Sequence, residues 1–245
     1  MNFFKKQPYK IFQTVNILLA VFLFSCGLEE YYYLPQVPQG NINTTGNTDA
    51  IIRLPPLSQY YASYYSIFYR VYISDFNTLS NIITPGQRTQ ISPALASDFS
   101  ALESITNPAN SSAVTSVNTF SNRNYFELEF EETGNSEILP KDGGTLRIRF
   151  PTAQGFFPVV SFNDGPEIRL RRSGSLISPQ PIDDPFLRNT PALNNTVNAD
   201  VAARSGRFAY VSMYIVAVGY DNTQFIPVYS KPTHISIFKL PDTTN

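Results

Sequence analysis

Disulfide chemistry is the first thing this chain goes without. Its 245 residues hold a single cysteine, Cys26, so no bridge can form within the chain. Histidine is as scarce, with His234 the only one. A Ser-His-Asp relay would have to use it as base, and no Gly-x-Ser-x-Gly nucleophile turn is present. A single histidine on a strand reads more simply as a structural or solvent-facing residue. The chain also lacks a glycine-rich phosphate cradle and any run of His, Cys and carboxylates spaced for a metal. No cofactor is expected. Tryptophan is missing, and charged residues make up only 15% of the chain.

Long apolar runs are missing too. Residues 11–24 are nearly free of charge, but Gln13, Thr14 and Asn16 dilute the first half. That run is shorter than the ~20 apolar residues a helix needs to cross a bilayer. An excess of positive charge is the last absence. Residues 1–25 carry Lys5, Lys6 and Lys10 and no acid, so the remainder has 15 Lys plus Arg against 19 Asp plus Glu, a formal −4. Such a balance argues against nucleic acid as a partner, since that requires a strongly basic face.

The first 26 residues carry the clearest signal that is present. A basic start, a short apolar run and a small residue at the cut describe a secretory leader. Phe24 spoils an ordinary small-x-small cleavage site. Leu23-Phe24-Ser25-Cys26 resembles the lipobox of bacterial lipoproteins, with Leu at −3, Ser at −1 and Cys at +1; Phe24 departs from the small or β-branched residue usual at −2. The resemblance implies that 1–25 is a lipoprotein signal peptide and that Cys26 is lipidated and becomes the mature N-terminus. It further implies an envelope protein held to a membrane through its lipid, on the periplasmic or cell-surface face. Two or more acyl chains hold stably where one holds only marginally.

Residues 26–49 read as a flexible tether. They contain Tyr31-Tyr32-Tyr33, Pro35, Pro38 and Gly40 and then Asn and Thr without apolar periodicity, too little hydrophobicity to offset the cost of ordering the chain. Residues 50–241 read as one β-rich domain. Proline (19), glycine (12), tyrosine (15) and phenylalanine (19) together indicate many turns and aromatic strands. Residues 64–73 alternate with period two, Ile67, Tyr69, Val71 and Ile73 on one face against Ser66, Phe68, Arg70 and Tyr72 on the other, the mark of a half-buried strand. Further strands are expected at 50–54, 124–131, 146–150, 168–171, 207–220, 225–229 and 233–240. One helix is expected from Ser92-Pro93, with Leu95, Phe99 and Leu102 as its apolar stripe and Asn107-Pro108 as its stop. Residues 110–122 and 173–205 read as loops. The second is long enough to suggest a functional surface. Asp183-Asp184 within it lacks the patterned ligands of a calcium loop.

Two further resemblances follow from these strands. Residues 67–72, the run 210–219, and Tyr229-Ser230-Lys231-Pro232-Thr233 resemble the third and the last two strands of a fibronectin type III domain. The likeness implies an all-β, two-sheet, immunoglobulin-like sandwich, here doubled in length by insertions that include one short helix. With its tyrosine-rich start, the chain is also similar to spirochaetal lipoproteins, which implies an envelope setting and no chemistry.

One constellation of charge stands out. Arg147, Arg149, Arg169 and Arg171 are expected on one side of neighbouring strands, with Glu127, Glu129 and Glu131 nearby. They form a candidate binding face for an anionic or saccharide ligand. The plainer reading is a solvent-facing sheet stitched by cross-strand ion pairs of about 0.2–1 kcal/mol each. The expectation as a whole is a lipid-anchored envelope protein, not an enzyme, whose β-sandwich binds a protein or glycan or serves as structure. The alternative is a carbohydrate-active or other hydrolase working through paired carboxylates.

Overall fold

The structure, a computed structural model, describes residues 34–46, 48–57, 62–78, 80, 82–105, 118–130, 137–138, 143–150, 158–172, 201–202, 208–221 and 226–240. All belong to the unit Tyr32–Asn245. The expected leader, Cys26 and Tyr31-Tyr32-Tyr33 lie outside the described residues, as does the expected loop 173–205 except for Val201 and Ala202.

Among the described residues, eleven strands make one mostly antiparallel sheet. In chain order they are β1 (Ile42–Thr45), β2 (Asp49–Leu54), β3 (Ala62–Ser74), β4 (Phe126–Phe130), β5 (Gly144–Arg149), β6 (Val159–Phe162), β7 (Ile168–Arg172), β8 (Val201–Ala202), β9 (Phe208–Asp221), β10 (Ile226–Tyr229) and β11 (Thr233–Lys239). The spatial order is β1-β2-β5-β6-β7-β4-β3-β9-β10; β11 also lies on β9, and β8 runs parallel to β3. The long strands β3 and β9 form the spine, in register from Tyr64↔Val218 to Ser74↔Phe208. On the other side of β9, β11 covers the first half and β10 the second. They are one edge broken at Pro232, which has no N–H for the ladder. Ser230 bridges the break: its Oγ accepts from the Ala217 amide at 2.9 Å and its own amide donates to the Ala217 carbonyl at 2.8 Å.

The sheet curls so that β2, β5, β6 and β7 lie over β3, β9 and β11. Alternation explains what fills the space between. Ala50, Ile52, Leu146, Ile148, Val160 and Leu170 point inward from one half, and Tyr65, Ile67, Tyr69, Val211, Met213 and Ile215 meet them from the other. The expectation of a half-buried β3 is corrected. Both faces of β3 and β9 are buried, because the second face is also apolar and three helices cover it. These are α1 (Pro85–Ile91), α2 (Pro93–Glu103) and α3 (Asn118–Ser121). Tyr64, Phe68, Tyr214 and Val216 pack on Leu102 and Phe120, while Tyr72 and Tyr210 pack on Ile91 and Leu95.

Three sequence expectations change here. The single expected helix begins at Pro93 as read, yet α1 precedes it, started by Thr84 and Gln87 in a reciprocal capping box with Pro85 at the first turn. Ser92 separates the two because the residue before a proline prefers extended backbone (φ −163°, ψ 134°), and its side chain makes no cap bond. The expected loop 110–122 contains α3, whose Phe120 is fully buried. The tether is shorter than expected. Leu34 and Val37 are buried, the Thr233 hydroxyl donates to the Val37 carbonyl at 2.6 Å, and β1 pairs with β2 across a turn at Gly46, whose φ of +66° favours glycine. Alternation was too short there to be read, since β1 has only Ile42 as an apolar residue.

Candidate functional site

The four nominated arginines lie where alternation puts them. Across the register Arg149 opposes Val159, which opposes Arg169, so both arginines share the outward face of the sheet. Their neighbours are acids. Arg147 donates through Nε to both Asp49 oxygens at 3.1 Å and through Nη2 to Oδ2. Arg149 pairs with Glu167, and Arg171 pairs with Glu129 at 3.6 Å across the β7–β4 ladder. Burial pushes the Glu129 carboxyl up, and Arg171 pulls it partly back. Arg169 is exposed. Glu127 turns instead toward β3 and accepts from the Ser66 hydroxyl at 2.9 Å. Glu131 and Cys26 lie outside the described residues. Arginines in this face are thus already engaged by carboxylates, at least three of the four with named partners.

A second polar system lies under the helices and was not legible beforehand. Arg70 on β3 donates through Nη1 to Asp98 on α2 at 2.6 Å and to the Arg123 carbonyl at 2.6 Å. The Tyr72 hydroxyl donates to the same Asp98 oxygen at 2.6 Å, lies 3.1 Å from the Tyr125 hydroxyl, and Tyr125 reaches Ser212 Oγ at 3.3 Å. Burial pushes the Tyr125 phenol up to about 12. The network closes on itself and ties α2 to the spine.

Arg88 differs. It projects from α1 with its guanidinium carbon 3.3 Å from the centroid of the Phe99 ring on α2, a cation–π stack. Its Nε is shielded from water and unbonded, and the Arg88 side chain has no ion pair among the described residues. Two cavities meet at it. One, of about 470 Å³, lies between α1 and α2 and is lined by Pro85, Arg88, Ala96, Phe99 and Glu103 among others; the second, of about 180 Å³, is bounded by Arg88, Ile83, His234 and Ser236. The His234 ring sits between Phe99 and Tyr214, 5.0 Å from each. Its Nε2 and the Tyr214 hydroxyl are both shielded and without a partner.

Electrostatics of this corner follow from burial. Desolvation first, then the Arg88 cation, holds His234 neutral, with its pKa pushed down to about 3. Desolvation likewise pushes the Glu103 carboxyl up against the pull of Lys231 and Arg88, and pushes the Tyr214 phenol up. A neutral imidazole and an un-ionised phenol leave Arg88 as the positive group on the shared wall and Glu103 as the negative group across the larger cavity. Sequence reading weighed His234 as a catalytic base and preferred a structural or solvent-facing residue, and it passed over Arg88, since a lone arginine in a short helix carries no spacing signal.

Among the described residues no three His, Cys, Asp or Glu side chains gather as a metal site, and no helix is long and apolar enough to cross a membrane. No protein-family model matches the chain, nor does any curated protein or solved structure.

Proposed function

We propose that this chain is a bacterial lipoprotein, anchored in the cell envelope through acyl chains on Cys26, whose all-β domain is a non-enzymatic binding module. Cys26 carries the reading: the only cysteine of the chain stands directly behind Leu23-Phe24-Ser25 at the end of an uncharged run too short to span a bilayer. Lipidation consumes a thiol that an exported protein otherwise leaves reactive.

Support for a two-sheet, fibronectin type III-like sandwich comes from strand neighbours. The third, sixth and seventh strands of immunoglobulin-like domains share one sheet, and β3, β9 and the β10–β11 edge are neighbours in that order. Support for binding comes from Arg88, an unpaired cation kept at the meeting of two cavities while the outward arginines are occupied.

The test of the anchor is metabolic labelling with radioactive palmitate in a bacterial host. Wild-type protein is expected to take up label and to partition with membranes, and Cys26→Ala to do neither. An unlabelled wild type with a free thiol by mass spectrometry overturns the reading.

A further inference from the structure

We infer that the cleft between α1 and α2 binds a small zwitterion of the α-amino acid class, with its carboxylate on Arg88 and its ammonium on Glu103. The inference rests on reading the domain as a binding module and adds the chemistry of the ligand.

Three observations combine. Arg88 and Glu103 line the same cavity of about 470 Å³, yet they form no ion pair with each other, and each lacks an ion pair or side-chain hydrogen bond among the described residues. Oppositely charged side chains that share a wall at surface depth ordinarily close on each other or on neighbours. Arg88 is kept from doing so by its stack on Phe99, which fixes the plane of the guanidinium. A planar fork of donors matches a carboxylate in bidentate geometry.

The remaining lining selects the rest of the ligand. Pro85, Ala96 and the partly exposed Phe99 give the cleft apolar surface, beside the hydroxyls of Thr89, Ser100 and Ser104. A simple anion satisfies Arg88 but is repelled by Glu103; a simple cation has the converse difficulty. A molecule with both charges on adjacent carbons and a modest apolar side chain meets all three surfaces. Lys231 also acts on Glu103, and it competes with the ammonium without lining the cavity. His234 stays neutral beside Arg88 and so leaves the carboxylate seat singly charged.

Isothermal titration calorimetry of the full-length protein in detergent with leucine, N-acetyl-leucine and leucinamide provides the test. Leucine is expected to bind. Removing its ammonium by acetylation or its carboxylate by amidation is expected to weaken binding at least tenfold each. Arg88→Gln is expected to abolish leucine binding; Glu103→Gln, on the solvent side of α2 and safe for folding, is expected to weaken leucine tenfold and to leave N-acetyl-leucine unchanged. Equal binding of all three compounds, no heat with any of them, or an indifferent Glu103→Gln each overturns the proposal. Tighter N-acetyl-leucine binding in Glu103→Gln would reassign the cleft to plain carboxylates and overturn the zwitterion while leaving the binding module standing. Palmitate labelling of Cys26 reads the anchor separately, so the two failures are distinguishable.

Discussion

Asp98 is an acid on the buried side of a helix, with its side chain about 10% exposed opposite an Arg70 at 12%. Truncating one member of such a pair leaves the other charge without compensation, at a cost of about 3–5 kcal/mol. Tyr72 loses its acceptor in the same step. Asp98→Ala is therefore expected to lower the unfolding free energy by about 3 kcal/mol in urea titrations. A loss below about 1 kcal/mol, the range of exposed pairs, would show that Arg70 finds water instead. Two of the outward arginines give the contrast at the same scale. Arg147 and Arg149 are more than 40% exposed, and each of their pairs contributes under about 1 kcal/mol. From sequence, Asp98 and Glu129 look alike, an acid among apolar residues with helical or strand spacing. What separates them is the surface each one faces, which lies on a distant part of the chain.

At the scale of elements, the short pieces matter more than their length suggests. α3 has four residues, too few to persist alone, because helix nucleation is unfavourable. It is held through Phe120, which stacks on Phe68 with centroids 4.1 Å apart and planes 7° from parallel and meets Tyr125, Tyr214 and Tyr229 edge-on. Phe120→Ala is expected to cost about 3–5 kcal/mol, as for other buried aromatics, and to loosen α3 specifically. Hydrogen exchange checks it: amides of Arg123, Asn124 and Tyr125, bonded to the 120–121 carbonyls, should lose protection well before those of β5. Uniform loss across the sheet would show that α3 has no separate stability. The 110–122 stretch read as a loop because one phenylalanine among Ser, Asn and Thr has no period. By contrast β3, β5, β7 and β9 were legible, since four or more alternating positions leave little else to form.

For the whole molecule, burial of neutral titratable groups on the helix-covered face predicts a stability profile that falls on both sides. His234 has a folded pKa near 3 against an ordinary 6.5. Between those values the unfolded chain binds a proton that the folded chain excludes, so stability drops as pH falls from about 6.5, by up to about 1.4 kcal/mol per unit for one proton. Tyr64, Tyr72, Tyr214 and Tyr229 are all pushed up, by burial above all. They release protons above pH 10 only on unfolding, so stability drops again there. Urea midpoints measured from pH 5 to 11 should show a plateau near neutrality with both flanks descending. His234→Gln should flatten the flank between pH 6.5 and 5 and leave the alkaline one unchanged. An unaltered acid flank in that variant would show that His234 titrates in water.

Local pattern determined a good deal of this protein. The proposal of a leader ending at Cys26 rests on charge, length and residue size along a linear segment, which act before any folding. The all-β character and the inward faces of the long strands were readable because a period of two places side chains without reference to partners. Tertiary structure decided the rest. That both faces of β3 and β9 are covered, that residues 34–45 join the domain, that Asp98 meets Arg70 and that the Arg88 side chain, stacked on Phe99, has no ion pair among the described residues all depend on what lies opposite each residue in space. Burial and charge pairing are properties of what lies opposite a residue. Only the curl of the sheet and the seating of the helices bring those opposites into place.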